Sequence, residues 1–166
     1  MAGAASDPVV DVPAWIKPML AKPDGGRLPT GAGWAYEYKL DDYRACMRVA
    51  ADGQTVLTSR NGIDFTNEFP AVVGVVGPAL GGRAAVLDGE IIAYNTEGQV
   101  DFGLLQERRG RYRKHRGPGP FEDRVEVRFL AFDLLRLGDA VLVGESYDER
   151  RQLLASIPMP DPHWVS

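Results

Sequence analysis

At 166 residues, 45% of them hydrophobic and 25% charged, the chain has the size and mix of one soluble globular domain or a part of one. A net charge of −4 gives no general support for nucleic-acid binding, and no apolar run approaches the roughly twenty residues of a membrane helix. The single cysteine, Cys46, excludes an internal disulfide and points to a reducing, cytoplasmic compartment.

Residues 1–33 are rich in Ala, Gly, Pro and Asp and read as an extended leader lying across the domain surface. The start, Met1 to Pro8, lacks the charged head and apolar centre of a signal peptide. At Trp34 the pattern changes to short strands. Trp34–Lys39 alternates as a strand, with Trp34, Tyr36 and Tyr38 on one side and Glu37 and Lys39 on the other. An ammonium beside a carboxylate, backed by aromatics, is either a pocket wall or a surface ion pair, and the residues alone favour the ion pair.

Tyr43–Ala50 and Gln54–Arg60 form a predicted hairpin about Ala51-Asp52-Gly53, and Asn61-Gly62 marks the next turn. Cys46 alternates within the first of these strands, which suits a packed, inert thiol. Phe69, Val72, Val73, Val76 and Leu80 recur at helical spacing, predicting a helix from about Glu68 to Leu80. Thr66 or Asn67 is its cap and Pro70 lies in its first turn, while Gly74, Gly77 and Pro78 weaken it. Arg83–Tyr94 is a long strand, Phe102–Arg109 a short helix and Gly110–Pro120 a loop. Val125–Leu137 is nearly continuously apolar, as in a strand buried on both faces, and Gly138-Asp139 turns it into Ala140–Val143. Ser146-Tyr-Asp-Glu149 matches a capping box for a helix ending near Ile157.

Two features stand out chemically. Asp88 and Glu90, two apart on an apolar strand, project from one face, where like charges need a cation to join them. Mg²⁺ shared with phosphate oxygens fits that need; an Asp-Gly turn with an exposed Glu is the plainer alternative. Arg108, Arg109, Arg111, Arg113, Lys114 and Arg116 place six positive charges within nine residues, which by default is a solvated loop. Lys39, Asp41, Arg44, Arg60, Asp88 and Glu90 together suit phosphate chemistry: lysine as nucleophile, arginine forks on phosphate oxygens, carboxylates with Mg²⁺. The glycines match neither the P-loop nor the dinucleotide fingerprint.

The ordered set resembles the ATP-dependent DNA ligases, most closely the bacterial double-strand-break-repair type. Lys39-Leu-Asp-Asp-Tyr-Arg44 resembles that family's Lys-x-Asp-Gly-x-Arg signature, and Ser59-Arg-Asn-Gly62 its Ser/Thr-Arg-x-Gly. Asp88-Gly-Glu90, Phe132-Asp-Leu-Leu135, the arginine pair in Asp148–Leu154 and the lead-in Pro18-Met-Leu-Ala21 continue the series over residues 18–154. The resemblance implies an α+β nucleotidyltransferase-type adenylation domain, with antiparallel sheets and flanking helices, spanning residues 34–157 and followed by a proline-bearing tail at 158–166. It implies that Lys39 carries AMP from ATP and that Glu37 meets the adenine amine. Arg44 and Arg60 would hold ribose and phosphate, Glu90 and Asp88 ribose and Mg²⁺. Phe132 would stack on adenine, although the residue alone reads as core. The basic stretch 108–116 then becomes a candidate contact for nicked or broken double-stranded DNA.

Two departures qualify the match. Asp42 stands where the signature has glycine, adding negative charge beside the phosphates. No counterpart of the family's later Lys-x-Lys pair or C-terminal barrel precedes Ser166, so the domain is expected to be incomplete, a fragment or one half completed by another chain. The alternatives are a catalytically impaired nucleotide- or DNA-binding remnant, and an RNA ligase or capping-type nucleotidyltransferase. A cytoplasmic, nucleoid-associated repair enzyme is the location this reading implies.

Overall fold

The computed structural model describes residues 11–23, 25–37, 39–40, 42–115 and 125–159, with side chains omitted over 111–115. Five antiparallel strands run β1 (Tyr43–Val49), β2 (Thr55–Ser59), β3 (Ala85–Tyr94), β4 (Glu126–Leu137) and β5 (Ala140–Val141), in the sheet order β2-β1-β3-β4-β5. Two helices flank them, α1 (Phe102–His115) and α2 (Tyr147–Ser156). This is the antiparallel α+β arrangement that the sequence predicts.

Strand alternation gives the sheet two unlike faces. On β1, Ala45, Met47 and Val49 enter the main core with Leu57, Leu87, Ile91, Phe129 and Leu134. The intervening Arg44, Cys46 and Arg48 face the other way, paired across the strands with Glu90, Asp88 and Val86. There Cys46, Val86 and Leu135 form a small cluster with Trp15 and Ile16 of the N-terminal segment. Arg48 Nη1 donates to the Pro13 carbonyl at 3.2 Å, tying that segment to β1. Burial pushes the Cys46 thiol up in pKa, as expected of a packed, inert cysteine.

The β1–β2 hairpin and β3 fall where the alternation places them. β4 runs Glu126–Leu137 and is buried on both faces at its centre, at Phe129, Leu130 and Ala131. The pairing of β3 with β4 shifts register at Asp88/Gly89. A Cβ on Gly89 would lie 2.4 Å from the Leu130 carbonyl oxygen and 2.6 Å from Phe129 Cζ, so the strands approach here only because residue 89 is glycine.

Three expectations need correcting. The predicted helix over 68–80 is instead three 3-10 turns at Thr66–Glu68, Pro70–Val72 and Gly77–Leu80. Pro70, Pro78 and Gly74 at φ +78° interrupt it, yet Phe69, Val72, Val76 and Leu80 still reach the core. Thr66 caps no α-helix; its backbone N–H and its hydroxyl both donate to Asp64. Trp34–Lys39 is irregular among its described residues: Trp34 and Tyr36 are exposed, so their alternation reports no buried face. Finally, α1 runs on to His115, through half of the segment read as a loop; residues 116–124 lie outside the described residues. By contrast α2 starts on the full capping box at Ser146 and Glu149.

Candidate functional site

The site grows from the even-numbered positions of β1. Arg44 stands opposite Glu90 in the ladder and reaches diagonally to Asp88, Nε to Oδ1 at 3.0 Å and Nη2 to Oδ2 at 2.7 Å. Asp88 is 3% exposed, so this two-pronged ion pair is what makes its charge tolerable on an apolar strand. The Arg44 guanidinium also lies over the Phe132 ring, 5.3 Å from its centroid. Residues from three separate segments of sequence therefore meet on one sheet face.

Glu90 is less well provided for. Its Oε2 is buried without a hydrogen-bond partner among the described residues. Burial lifts its carboxyl to about 7; Arg44 opposes the rise, Asp42 and Asp88 add to it, and Lys39 opposes it. Lys39 is thus exposed but within electrostatic reach of Glu90. Both carboxylate oxygens of Asp42 are likewise buried and unpartnered, and burial, then Asp101, raise its pKa to about 6. Where the ligase signature has glycine, this chain therefore carries a second reluctant carboxyl.

Glu37 accepts a hydrogen bond from the Tyr147 hydroxyl at 2.8 Å, and Arg151 Nε lies 3.9 Å from the same oxygen. Arg151 Nη1 also donates to the Phe132 carbonyl at 3.0 Å. Beside it, Arg150 forks onto Asp133 with bonds of 2.8 and 3.1 Å. Asp133, Tyr147, Arg150 and Arg151 were assigned no role from sequence. The signal was available: an aspartate inside an apolar strand requires a cation, and a helix with paired arginines follows it.

Arg60 stands exposed on the turn closed by Gly62 N–H to the Ser59 carbonyl at 2.9 Å, outside the contacts joining Arg44, Asp88, Glu90 and Phe132. Gly62 has φ +77°, and a Cβ there would lie 3.8 Å from the Trp15 ring. The basic stretch divides. Arg108 is buried, with its guanidinium 6.0 Å from the Phe69 ring centroid. Arg109 pairs with Glu68 at 2.6 Å and lies over Tyr43, 4.8 Å from the ring centroid. These two arginines hold α1 to the body of the protein. The side chains of Arg111, Arg113 and Lys114, and the whole of Arg116, lie outside the described residues.

A magnesium ion would meet this face through its unpartnered carboxylate oxygens. Both Asp88 oxygens are taken by Arg44, and among the described residues no group of three or more His, Cys, Asp and Glu side chains is arranged to hold a metal. Glu90 Oε2 and the two Asp42 oxygens, without hydrogen-bond partners among the described residues, are the donors suited to a cation, whose remaining ligands would be phosphate oxygens and water. For a nucleobase, Phe132 is half-buried and Arg44 occupies one side of its ring, so stacking must use the other. No helix of the described residues is long and apolar enough to cross a membrane.

Comparison with known proteins agrees with this assembly of motifs. Residues 18–166 match the family described as ATP dependent DNA ligase domain. The chain is 36% identical over 149 residues to the bifunctional non-homologous end joining protein LigD of Bacillus subtilis, covering 81% of this chain and 24% of that protein. It is 39% identical over 145 residues to DNA ligase C of Mycobacterium tuberculosis, covering 84% and 37%. A solved structure of mycobacterial DNA ligase D complexed with ATP and MES superposes with a TM-score of 0.59 at 32% identity, over 72% of this chain and 35% of that one. The chain thus spans about a quarter to a third of these relatives. Matched by the family over nearly its whole length and sharing its fold, it belongs to the ATP-dependent DNA ligase domain family.

Proposed function

We propose that the chain is the nucleotide-binding part of a ligase adenylation domain acting on nicked or broken double-stranded DNA in end-joining repair. The observation that carries this reading is the cluster of Arg44, Asp88, Glu90 and Phe132 on one sheet face, with Lys39 in electrostatic reach of Glu90. In this reading the neutral Lys39 amine attacks the α-phosphate of ATP. A phosphorus–nitrogen bond forms as the bond to pyrophosphate breaks, leaving AMP on the lysine. AMP then passes to a 5′-phosphate at the break, and the neighbouring 3′-hydroxyl displaces it as the strand closes.

The chain's own groups divide the work. Glu37 accepts the adenine amine, Phe132 offers a ring face to the base, and Arg44 and Arg60 direct guanidinium donors at ribose and phosphate. Asp88 fixes the Arg44 fork rather than meeting ligand. When present, Mg²⁺ at Glu90 neutralises phosphate charge. Arg111, Arg113, Lys114 and Arg116 remain the candidates for the duplex backbone, since Arg108 and Arg109 are engaged within the fold.

Incubation with ATP and Mg²⁺ tests this directly. The expected result is a mass increase of one AMP that is absent from Lys39→Ala. The unpartnered Asp42 carboxyl favours one rival, a nucleotide-binding remnant with impaired chemistry. ATP binding without any adduct, together with an adduct gained in Asp42→Gly, would establish that rival instead.

A further inference from the structure

Glu37 sits in an irregular, exposed stretch, so no sheet ladder fixes its side chain. What fixes it is α2. The Tyr147 hydroxyl donates to Glu37 Oε1 at 2.8 Å, and Arg151 approaches the same oxygen at 3.9 Å. The helix is in turn immobilised at its start by the Ser146 capping box and on β4 by the Arg150–Asp133 fork. Arg151 touches the Phe132 carbonyl as well, 3.0 Å away. One helix turn therefore joins the carboxylate at the edge of the adenine site to the backbone of the residue beneath the base.

We propose that Tyr147 and Arg151 are positioning residues that set the preference for adenine over guanine, by holding Glu37 with Oε1 engaged and Oε2 turned to the nucleobase. The inference rests on the reading of Glu37 as the adenine contact. Its chemistry is direct. Adenine presents an amine donor at the position where guanine presents a carbonyl oxygen. A carboxylate held in place accepts from the first and repels the second, whereas one free to swing away does neither. Tyr147 contributes only as a donor, its hydroxyl pKa raised first by burial and then by the Glu37 carboxylate beside it. Arg151 adds charge and fixes the distance between Glu37 and Phe132.

The test is equilibrium binding of ATP and GTP, each with Mg²⁺, to the 166-residue chain and its variants. Tyr147 is 39% exposed, so Tyr147→Phe removes one hydroxyl at no cost to packing. It is expected to cut the ATP-over-GTP preference by roughly tenfold, almost wholly through weaker ATP binding. Arg151→Lys, which keeps the charge but cannot reach Glu37 and the Phe132 carbonyl together as the guanidinium does, is expected to cut it less. In a Glu37→Gln background, where the amide can accept from adenine or donate to guanine, Tyr147→Phe is expected to change nothing further, which a merely structural role for the tyrosine would not produce. Equal weakening of both nucleotides by Tyr147→Phe, or no change in either, overturns the proposal. If Glu37→Gln abolishes the preference while Tyr147→Phe preserves it, the proposal falls and the Glu37 reading stands. A wild-type chain with no preference for ATP removes both.

Discussion

On the face of the sheet covered by the 3-10 turns and the helices, Met47, Leu87 and Phe129 are fully buried among apolar neighbours. On the other face, the same strands carry Arg44, Asp88 and Glu90, backed by a small apolar cluster, and two carboxyl groups have oxygens without hydrogen-bond partners among the described residues. The contrast shows how one set of strands separates two tasks. The first face supplies cohesion; the second holds charges in an environment that raises their energy, and on the proposed function a ligand would satisfy them. Stability and binding should therefore respond to substitution independently, face by face.

The largest effect belongs to the apolar face. Phe129→Ala removes an inaccessible ring that also fills the space against Gly89, and is expected to cost about 4 kcal/mol in urea unfolding. ATP affinity, corrected for the folded fraction, should be unchanged; a direct loss of affinity would mean that the two faces are mechanically coupled.

Next comes the ion pair. Arg44→Ala strands the Asp88 carboxylate in a site only 3% exposed and is expected to cost about 3 kcal/mol. Replacing both partners, Arg44→Met with Asp88→Leu, should recover most of that loss and still abolish nucleotide binding. If the double variant stays as unstable as Arg44→Ala, the pair is a structural necessity and the division between faces is wrong. Lys39→Ala, by comparison, should leave the urea midpoint within about 0.5 kcal/mol of wild type, because the side chain is exposed, and yet remove the AMP adduct.

How far the sequence reveals all this depends on what each residue reports. Strands β1, β3 and β4 were legible because period-two burial writes itself into residues such as Ala45, Met47 and Val49. The same logic failed at Trp34 and Tyr36, whose alternation is not matched by burial, and at 68–80, where two prolines and a Gly74 at positive φ prevail over the helical spacing of the apolar residues. The candidate site residues form an ordered series of motifs in the sequence, and two of them, Arg44 and Asp88, meet at hydrogen-bonding distance. Their pairing was not legible, since Arg44 and Asp88 lie 44 positions apart and only the register of β1 on β3 joins them. Arg108 and Arg109 show the converse: a dense basic run reads as one patch, but helix geometry sends two of its members inward onto Phe69 and Glu68.

The smallest expected effect probes the cost of the polar face itself. Burial holds Asp42 near 6 and Glu90 near 7, above the ordinary 3.8 and 4.5. A carboxyl whose pKa is raised by folding binds its proton more tightly in the folded chain. Between about pH 4 and pH 7 the folded state therefore carries more protons than the unfolded one, and stability falls as pH rises through that window. Asp42→Asn removes one of the two contributions. Its thermal midpoint should exceed wild type at pH 7 by the equivalent of about 1 kcal/mol, solvent screening at this partly buried residue keeping the effect small. The two proteins should converge near pH 4, where both carboxyls are protonated in the folded chain. Asp42→Asn should also strengthen ATP binding at pH 7 by removing a negative charge near the phosphates. A midpoint gap that does not shrink on acidification would show that Asp42 destabilises through packing rather than charge, and that the face is costly for another reason.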